Sequence, residues 1–518
     1  MTFNLTKDPW IPALDSAGRR VMCSLQSLYE RAAELTDLDV QAHERISVMR
    51  LLLCITQRAL DGPVSIDYRE DCREQIVPKS LAYLRQWESA FELFPVGKEG
   101  AFLQFADVQG GETDISKLHM TGAAGNNSTL FDNAGGMRPQ FPSSAQIALD
   151  LLTYQNFSPC GKIGVATWAG KKTGVKSPDA SSNAPCVLAS ALHLFLVGKN
   201  LLETLNFNLI PKASLPHSIS FGAPVWERMP KHMQDEEAVH NATHSYLGRL
   251  VPVSRTIRIA SDSRSCVLAH GLRYTAEDKG DLLYYEQSMT ITIDKANKRT
   301  IVGADLSRAI WRSLPALLHR FSKQNRHQPP HRLQPPLFDN EQLEDGFSIW
   351  VGAMVCDNAK ILDTMSDIFA DNDSTILSVP FQKALEKLIQ CAEFGDAKLR
   401  EALDSYITST NKAQHDKTKR PDPVSKIQNK VSQFYWDHML EMKPYLIYIA
   451  DQCSQASSKE QIEEAAKPWV SQLEQAAMLA FDSYATRSTN RELCAWAESK
   501  RTLPHLKGLL KYITNKKQ

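Results

Sequence analysis

The 518-residue chain has no C-x-x-C pair, no long unbroken apolar run and no excess of either charge. Its ten cysteines are scattered, which excludes a zinc ribbon and a disulfide framework and fits reduced thiols in a cytoplasm. The longest apolar stretches, such as residues 48–55, are broken by a charge (Arg50 there) and fall short of the roughly 20 residues a membrane span needs. Residues 1–8 show no apolar run behind a basic start, so no secretory signal is expected. Lysine plus arginine and aspartate plus glutamate number 59 each, giving zero net charge. A protein that held nucleic acid alone, by charge, would be basic. That leaves two options: no nucleic acid, or local basic patches used inside a larger complex.

Catalytic signatures are missing too. The string Gly164-Val-Ala-Thr-Trp-Ala-Gly170-Lys171-Lys172-Thr173 is superficially a phosphate loop. Five residues separate its glycines where a Walker A loop needs four, and Lys171 is followed by lysine rather than Ser or Thr. His240 and His244 have the i, i+4 spacing of a zincin pair, but the required glutamate is replaced by Asn241. This reads as a surface or loop histidine pair. No G-x-S-x-G, paired-aspartate or Rossmann pattern stands out. We therefore expect no catalytic residues, no metal and no cofactor, and a binding role.

What is present is a change of period along the chain. Short apolar segments at 3–5, 10–14 and 21–25 around Gly18 predict strands leading into a helix over 25–35. Ile46, Met49, Leu53 and Leu60 have helical spacing, ended by Gly62-Pro63. Further helices are predicted around 81–91 and 145–154. Between them lie long irregular stretches at 118–143 and 159–185, and loops of that length are functional or disordered. Residues 255–260 and 288–294 alternate as half-buried strands. A Pro/His segment at 325–336 reads as an extended spacer. Beyond about 375 the period is helical: Phe381, Leu385, Leu388 and Ala392, then 431–439, 469–484 and 493–513, the last bent at Pro504. The fold class expected is α+β: a mixed α/β N-terminal domain over 1–370 and a C-terminal four-helix bundle over 371–518.

Two basic clusters fall in that helical region. Residues 412–430 hold Lys412, Lys417, Lys419, Arg420, Lys426 and Lys430 against Asp416 and Asp422. Residues 499–518 hold six cations and no acid. One such cluster is ordinarily a solvated face; two in one domain raise the prospect of phosphate contact.

Several segments, in order, resemble the CasA family, the large subunits of type I-E CRISPR Cascade complexes. They include Asp8-Pro-Trp10-Ile11-Pro12, Ser24-Leu-Gln-Ser-Leu28-Tyr29, Phe102-Leu-Gln104 and Ala124-Gly-Asn-Asn-Ser-Thr-Leu-Phe131-Asp-Asn133. Pro224-Val-Trp226-Glu227, Ser254-Arg255-Thr-Ile-Arg258, Trp350-Val-Gly-Ala353 and Phe434-Tyr435 follow. Each is weak alone; together, collinear over nearly the whole chain, they are specific. The resemblance implies a non-catalytic subunit whose partners are other Cascade proteins, a CRISPR guide RNA, target double-stranded DNA and the system's helicase-nuclease. It would recognise the motif adjacent to the target as duplex DNA, help open the target and help recruit the nuclease.

The same resemblance implies three DNA-binding sites. Phe131 sits in the family's aromatic loop near the guide handle and the adjacent motif, flanked by Asn126, Asn127 and Asn133. Gly161-Lys162-Ile163-Gly164 stands where the family has a glycine loop approaching the minor groove, where a missing Cβ lets backbone come close. Asp357-Asn358-Ala359 aligns with a wedge turn pushed into the duplex; an ordinary Asx turn starting a helix at Ala359 is the plain alternative. Lys417, Lys419 and Arg420 are assigned to phosphate contact. The family's minor-groove lysine has Arg264, Arg273 and Lys279 as unranked counterparts. A metal-dependent nuclease and a purely structural scaffold are the competing functions.

Overall fold

We describe the protein from a computed structural model. The described residues are 2–518 except 64–68, 95–99, 122–141, 159–160, 163, 175–177, 180–183, 189, 216–218, 233, 274–285, 294–298, 319–345, 358–359, 373, 411–421 and 516–518. The chain divides into two compact units, Met1–Ile310 with Phe321–Asp373, and Trp311–Arg320 with Ser374–Gln518.

The first unit opens with strands β1 (Ile11–Asp15) and β2 (Arg20–Cys23), joined by a turn in which Gly18 takes φ +71° and donates to the Asp15 carbonyl. Ser24 caps α1 (Leu25–Glu30), its Oγ accepting from Ser27 N at 3.1 Å. The helix predicted to reach residue 35 stops at Glu30, because β3 (Leu35–Leu38) returns to pair with β1 in the order β2-β1-β3. Next comes α2 (Ala42–Ala59), buried from Ala42 to Gln57 except at Glu44. A helix buried on every side belongs in the middle of a core. Packed on it are α3 (Arg69–Gln86), α4 (Ser144–Phe157), α5 (Leu201–Phe207) and α7 (Tyr246–Leu250), the last preceded by α6 (Glu236–His244). Gly62, at φ +68°, ends α2 by donating to the Gln57 carbonyl at 2.8 Å.

Small antiparallel sheets surround these helices. β4 (Val108–Gly110), β7 (Ala166–Trp168) and β8 (Lys171–Lys172) run in the order 4-7-8. β5 (Glu112–Asp114), β11 (Arg255–Ile259) and β12 (Ser265–His270) run 11-12-5, and β6 (Gly161–Lys162) pairs with β9 (Pro178–Asp179). β13 (Ile291–Ile293) pairs with β14 (Arg299–Ile301). The longest strands, β15 (Phe347–Asp357) and β16 (Lys360–Asn372), form a hairpin whose first strand also pairs with β10 (His193–Val197). From Phe347 to Val355 every residue of β15 except Ser348 is buried, the unbroken pattern of a strand covered on both faces.

The second unit is helical. A short α8 (Leu314–Leu318) precedes four longer helices, α9 (Val379–Thr410), α10 (Asp422–Met439), α11 (Lys443–Gln455) and α12 (Lys459–Tyr484). They bury Phe381, Leu385, Leu388, Tyr435, Trp469 and Leu473 among others. The helix predicted over 493–513 is two, α13 (Asn490–Ser499) and α14 (Leu506–Thr514), because Pro504 forces Leu503 into extended backbone at ψ 151°. Helix α11 escapes the periodic reading; its Pro444 lies in the first turn, where no N–H is needed. Trp311 is fully buried here, against Trp436 and Trp469 at 5.8 and 5.9 Å between ring centroids.

A polar knot lies inside the apolar core of the first unit. Arg50 of α2 is 2% exposed and ion-paired with buried Glu286. Its Nε donates to Asn156 Oδ1 (2.8 Å) and the Leu250 carbonyl (3.0 Å), and Nη2 to the Arg249 carbonyl (2.6 Å). Burial pushes the Glu286 carboxyl up, but Arg50, joined by His193 and Arg249, outweighs it and holds the group below its ordinary value. Ser288 Oγ donates to Glu286 Oε1 (3.2 Å) and meets His193 Nδ1 at 2.8 Å. Arg50→Met would leave Glu286 buried without its cation and should destabilise this unit by about 3–5 kcal/mol. Adding Glu286→Leu removes the stranded charge and should recover part of that loss, an order that urea unfolding of the three proteins will check.

Two buried histidines set the acid side. Burial pulls both His43 and His193 down to about 3 from 6.5, so both are neutral in the folded protein. The unfolded chain takes up protons at these sites below about pH 6.5, so stability should fall as pH drops from there toward 3, by up to about 1.4 kcal/mol per pH unit for each histidine. Urea titrations at stepped pH should show that slope, and His193→Gln should remove one histidine's share of it.

Candidate nucleic-acid interface

Helix α4 delivers the chain to the glycine segment. The Gln155 amide donates to the Leu103 and Arg255 carbonyls (3.0 and 2.9 Å) and its Oε1 accepts from Arg255 N (2.8 Å), tying α4 to β11. Ser158 closes the helix in the left-handed region at φ +42°, its N–H on the Tyr154 carbonyl at 2.8 Å. Gly161 and Lys162 form β6, and Gly164 lies exposed against β12 in a parallel bridge to Ala269. A Cβ at 164 would stand 2.9 Å from the Leu268 carbonyl oxygen. Close approach to β12 itself therefore accounts for glycine at this position.

The string that mimics a phosphate loop is a strand, a turn and a strand. Ala169 and Gly170, at φ +48° and +78°, form a two-residue turn between β7 and β8, which places Lys171 and Lys172 in full exposure. Trp168 anchors the hairpin, buried edge-on against Phe105 at 4.5 Å. Gly174 follows, at φ +153°, against the ring of His270. Arg273 Nη2 and His270 Nδ1 are hydrogen-bonded at 2.6 Å. Gly164, Gly174 and the His270–Arg273 pair thus gather near one end of β12. Arg264 sits at the opposite end of this six-residue strand, about 20 Å away at the usual rise.

The third element is the tip of the β15–β16 hairpin. Asp357 and Lys360 are register partners, so residues 358 and 359 are the whole of its connection. Lys360 begins a strand, not a helix, which removes the plain helix-start alternative for this turn. Ser190 braces the end of β15: its N–H donates to the Met354 carbonyl (3.1 Å) and its Oγ accepts from Cys356 N (2.9 Å). Asp357 itself is exposed.

A family model for the CRISPR-associated protein Cse1 matches residues 4–480. The chain belongs to the Cse1 family. It is 28% identical over 460 residues to the CRISPR-associated protein CasA/Cse1 of Thermus thermophilus, a match spanning 85% of each chain. Its fold is similar to a crystal structure of CasA from Thermus thermophilus, with TM-score 0.73, 22% identity and coverage of 98% and 99% of the two chains. It is also similar to a chain of a CRISPR RNA-guided surveillance complex, with TM-score 0.66, 15% identity and coverage of 97% and 99%. The collinear motifs that carry the CasA resemblance thus identify the family correctly, and the mixed α/β fold with a C-terminal helical bundle is the fold of these Cse1 structures.

Of the residues assigned to DNA from the sequence, by resemblance or by basic clustering, Gly161, Lys162, Gly164 and Asp357 are placed as above. Phe131, Asn126, Asn127, Asn133, Ile163, Asn358, Ala359, Lys417, Lys419 and Arg420 lie outside the described residues, as do Lys279 and the Pro/His spacer. Of the 412–430 cluster, Lys426 and Lys430 are exposed one turn apart on α10. His240 and His244 are on α6 rather than a loop, stacked at 4.4 Å, and no cluster of three or more possible metal ligands occurs among the described residues. Lys171 and Lys172 drop out of sight in the sequence once the phosphate loop is dismissed. The signal is there all the same: Ala-Gly between a strand-like Ala-Thr-Trp and two lysines is a hairpin turn.

The role of Gly164 against β12 can be measured directly. Gly164→Ala must push the Leu268 carbonyl or part the bridge, and should cost about 1–3 kcal/mol. Gly111→Ala, where an added Cβ meets nothing within 4 Å, should stay within about 0.5 kcal/mol of the parent in the same urea unfolding series.

Proposed function

We propose that this chain is the non-catalytic large subunit of a cytoplasmic, RNA-guided Cascade complex. It recognises the motif adjacent to the target in duplex DNA, helps open the target for guide pairing and helps recruit the helicase-nuclease. Its partners on this reading are the other Cascade proteins, the CRISPR guide RNA and the target duplex. The division of labour follows the chain: residues 1–370 carry the motif-reading loops and 371–518 the bundle, where Lys417, Lys419 and Arg420 contact phosphates.

The observation that carries the proposal is the two-residue connection of the β15–β16 hairpin at 358–359. A hairpin paired up to Asp357 and Lys360 and braced by Ser190 suits insertion beside a base step, and such wedges unstack DNA at a cost of a few kcal/mol, roughly. Family membership supports the setting, and a structural relative is a chain of an RNA-guided surveillance complex. In this setting base pairing with the guide reads the target, leaving protein to read a short duplex motif. The Asn-rich loop with Phe131 and the glycine segment at 161–164 complete the proposed surface. Arg273, hydrogen-bonded to His270 near Gly164, supports its choice over Arg264 as the minor-groove cation.

Removing the wedge should matter only while the target is closed. Asn358→Gly with Ala359→Gly should weaken binding of the assembled complex to a fully paired target. A target with a bubble already open beside the adjacent motif should be bound nearly as well as by the parent, since its unstacking cost has been met. Equal losses on both targets, with unchanged thermal melts, would reject the wedge. Cleavage of DNA by the isolated protein with Mg²⁺ or Mn²⁺ would instead favour a nuclease.

A further inference from the structure

Glu227, the last residue of the family marker Pro224-Val-Trp226-Glu227, lines a surface cleft of about 370 Å³ between α2 and α3. Glu227 is 7% exposed at its side chain and fully engaged: Arg58 donates to it through Nε (2.8 Å) and Nη2 (2.7 Å), and Tyr83 Oη donates at 2.7 Å. Trp226 Nε1 donates to Tyr83 Oη at 2.7 Å, so the floor is a closed network rather than a loose set of side chains. Around it stand Lys79, Gln86 and Trp87, with Ala59 and Ala82 as small apolar walls.

The charges do not cancel. Arg58 and Glu227 neutralise each other, leaving Lys79, which is exposed and has no ion-pair partner among the described residues. The half-buried Trp87 indole N–H donates no hydrogen bond among them either. Near the end of α2 the carbonyls of Thr56, Gln57 and Arg58 are taken by the N–H groups of Leu60, Gly62 and Asp61. An aromatic wall and an uncompensated cation are the parts that sequence-tolerant single-strand sites combine, the ring stacking a base and the cation meeting the phosphate. An acidic peptide would use the cation but leave Trp87 and the two alanine walls idle.

We propose that this cleft holds one nucleotide of a single strand of nucleic acid, its base against Trp87 and its phosphate at Lys79. The site is separate from the duplex-reading surface and involves neither the wedge nor the glycine segment.

The test uses the isolated full chain and a short fluorescein-labelled oligothymidylate, with no adjacent motif, so it does not depend on the wedge. Fluorescence anisotropy should show Lys79→Glu and Trp87→Ala each weakening binding by about tenfold, with Lys79→Arg and Trp87→Phe retaining most of it. A 4-thiothymidine oligonucleotide should cross-link to the tryptic peptide spanning residues 86–98. Unchanged affinity in both disruptive variants, or adducts confined to other peptides, would overturn the proposal. So would loss of the adduct to a short glutamate peptide at equal charge, which would assign the cleft to an acidic protein segment.

Discussion

The first unit is organised around one guanidinium. Arg50 reaches from the middle of α2 to the end of α4 through Asn156, to the last carbonyls of α7 and to Glu286. A buried ion pair is weak evidence for stability, since apolar residues of equal volume often serve as well. Its effect here is geometric. Three carbonyl or amide oxygens and one carboxylate must converge on one planar fork, which fixes the ends of two helices and one strand approach relative to α2. The carbonyls of α7 sit at that helix's negative end, where a cation is favoured.

Both candidate DNA elements within the described residues hang from this knot. Asn156 is two residues before Ser158, whose left-handed turn starts the path to Gly161 and Gly164. On the other side, Glu286 reaches through Ser288 to His193, the first residue of β10, and β10 pairs along β15 toward its exposed end. Arg50 is thus connected to the glycine segment and to the hairpin by separate chains of contacts.

The sequence discloses some of this and hides the rest for identifiable reasons. Helix α2 is legible because Gly62-Pro63 ends a strongly periodic run, and the bundle because its apolar period persists for a hundred residues. Strand β10 is missed because His-Leu-Phe-Leu-Val is too short to separate from a buried helix by period. Strand β3 is missed at the end of an apparent helix, since Leu35 and Leu38 stand three apart, a helical spacing rather than a strand's alternation, and only pairing with β1 decides. The Arg50–Glu286 pair is unreadable from one chain: its members stand 236 positions apart, and nothing local marks either as buried. Site residues are legible only through motif order, which names positions without their surroundings. Gly164 shows the gap, since its close neighbour is β12 and no spacing rule foretells that.

A wedge of the kind proposed would have to resist the duplex it entered, and the hairpin's construction bears on that. Opening a base step costs a few kcal/mol, roughly. The resistance has to come from the strands behind it. β15 is buried nearly throughout the core and paired on both edges, while β16 is largely exposed, so the load passes into β15. Ser190 secures the end of that strand. It adopts φ +61°, a conformation costing a non-glycine residue about 1–2 kcal/mol. That cost is offset where the residue joins its N–H to Met354 and its hydroxyl to Cys356, one residue before the exposed Asp357. The strain is local and the bracing is at the tip, which is where a lever under load would otherwise fray.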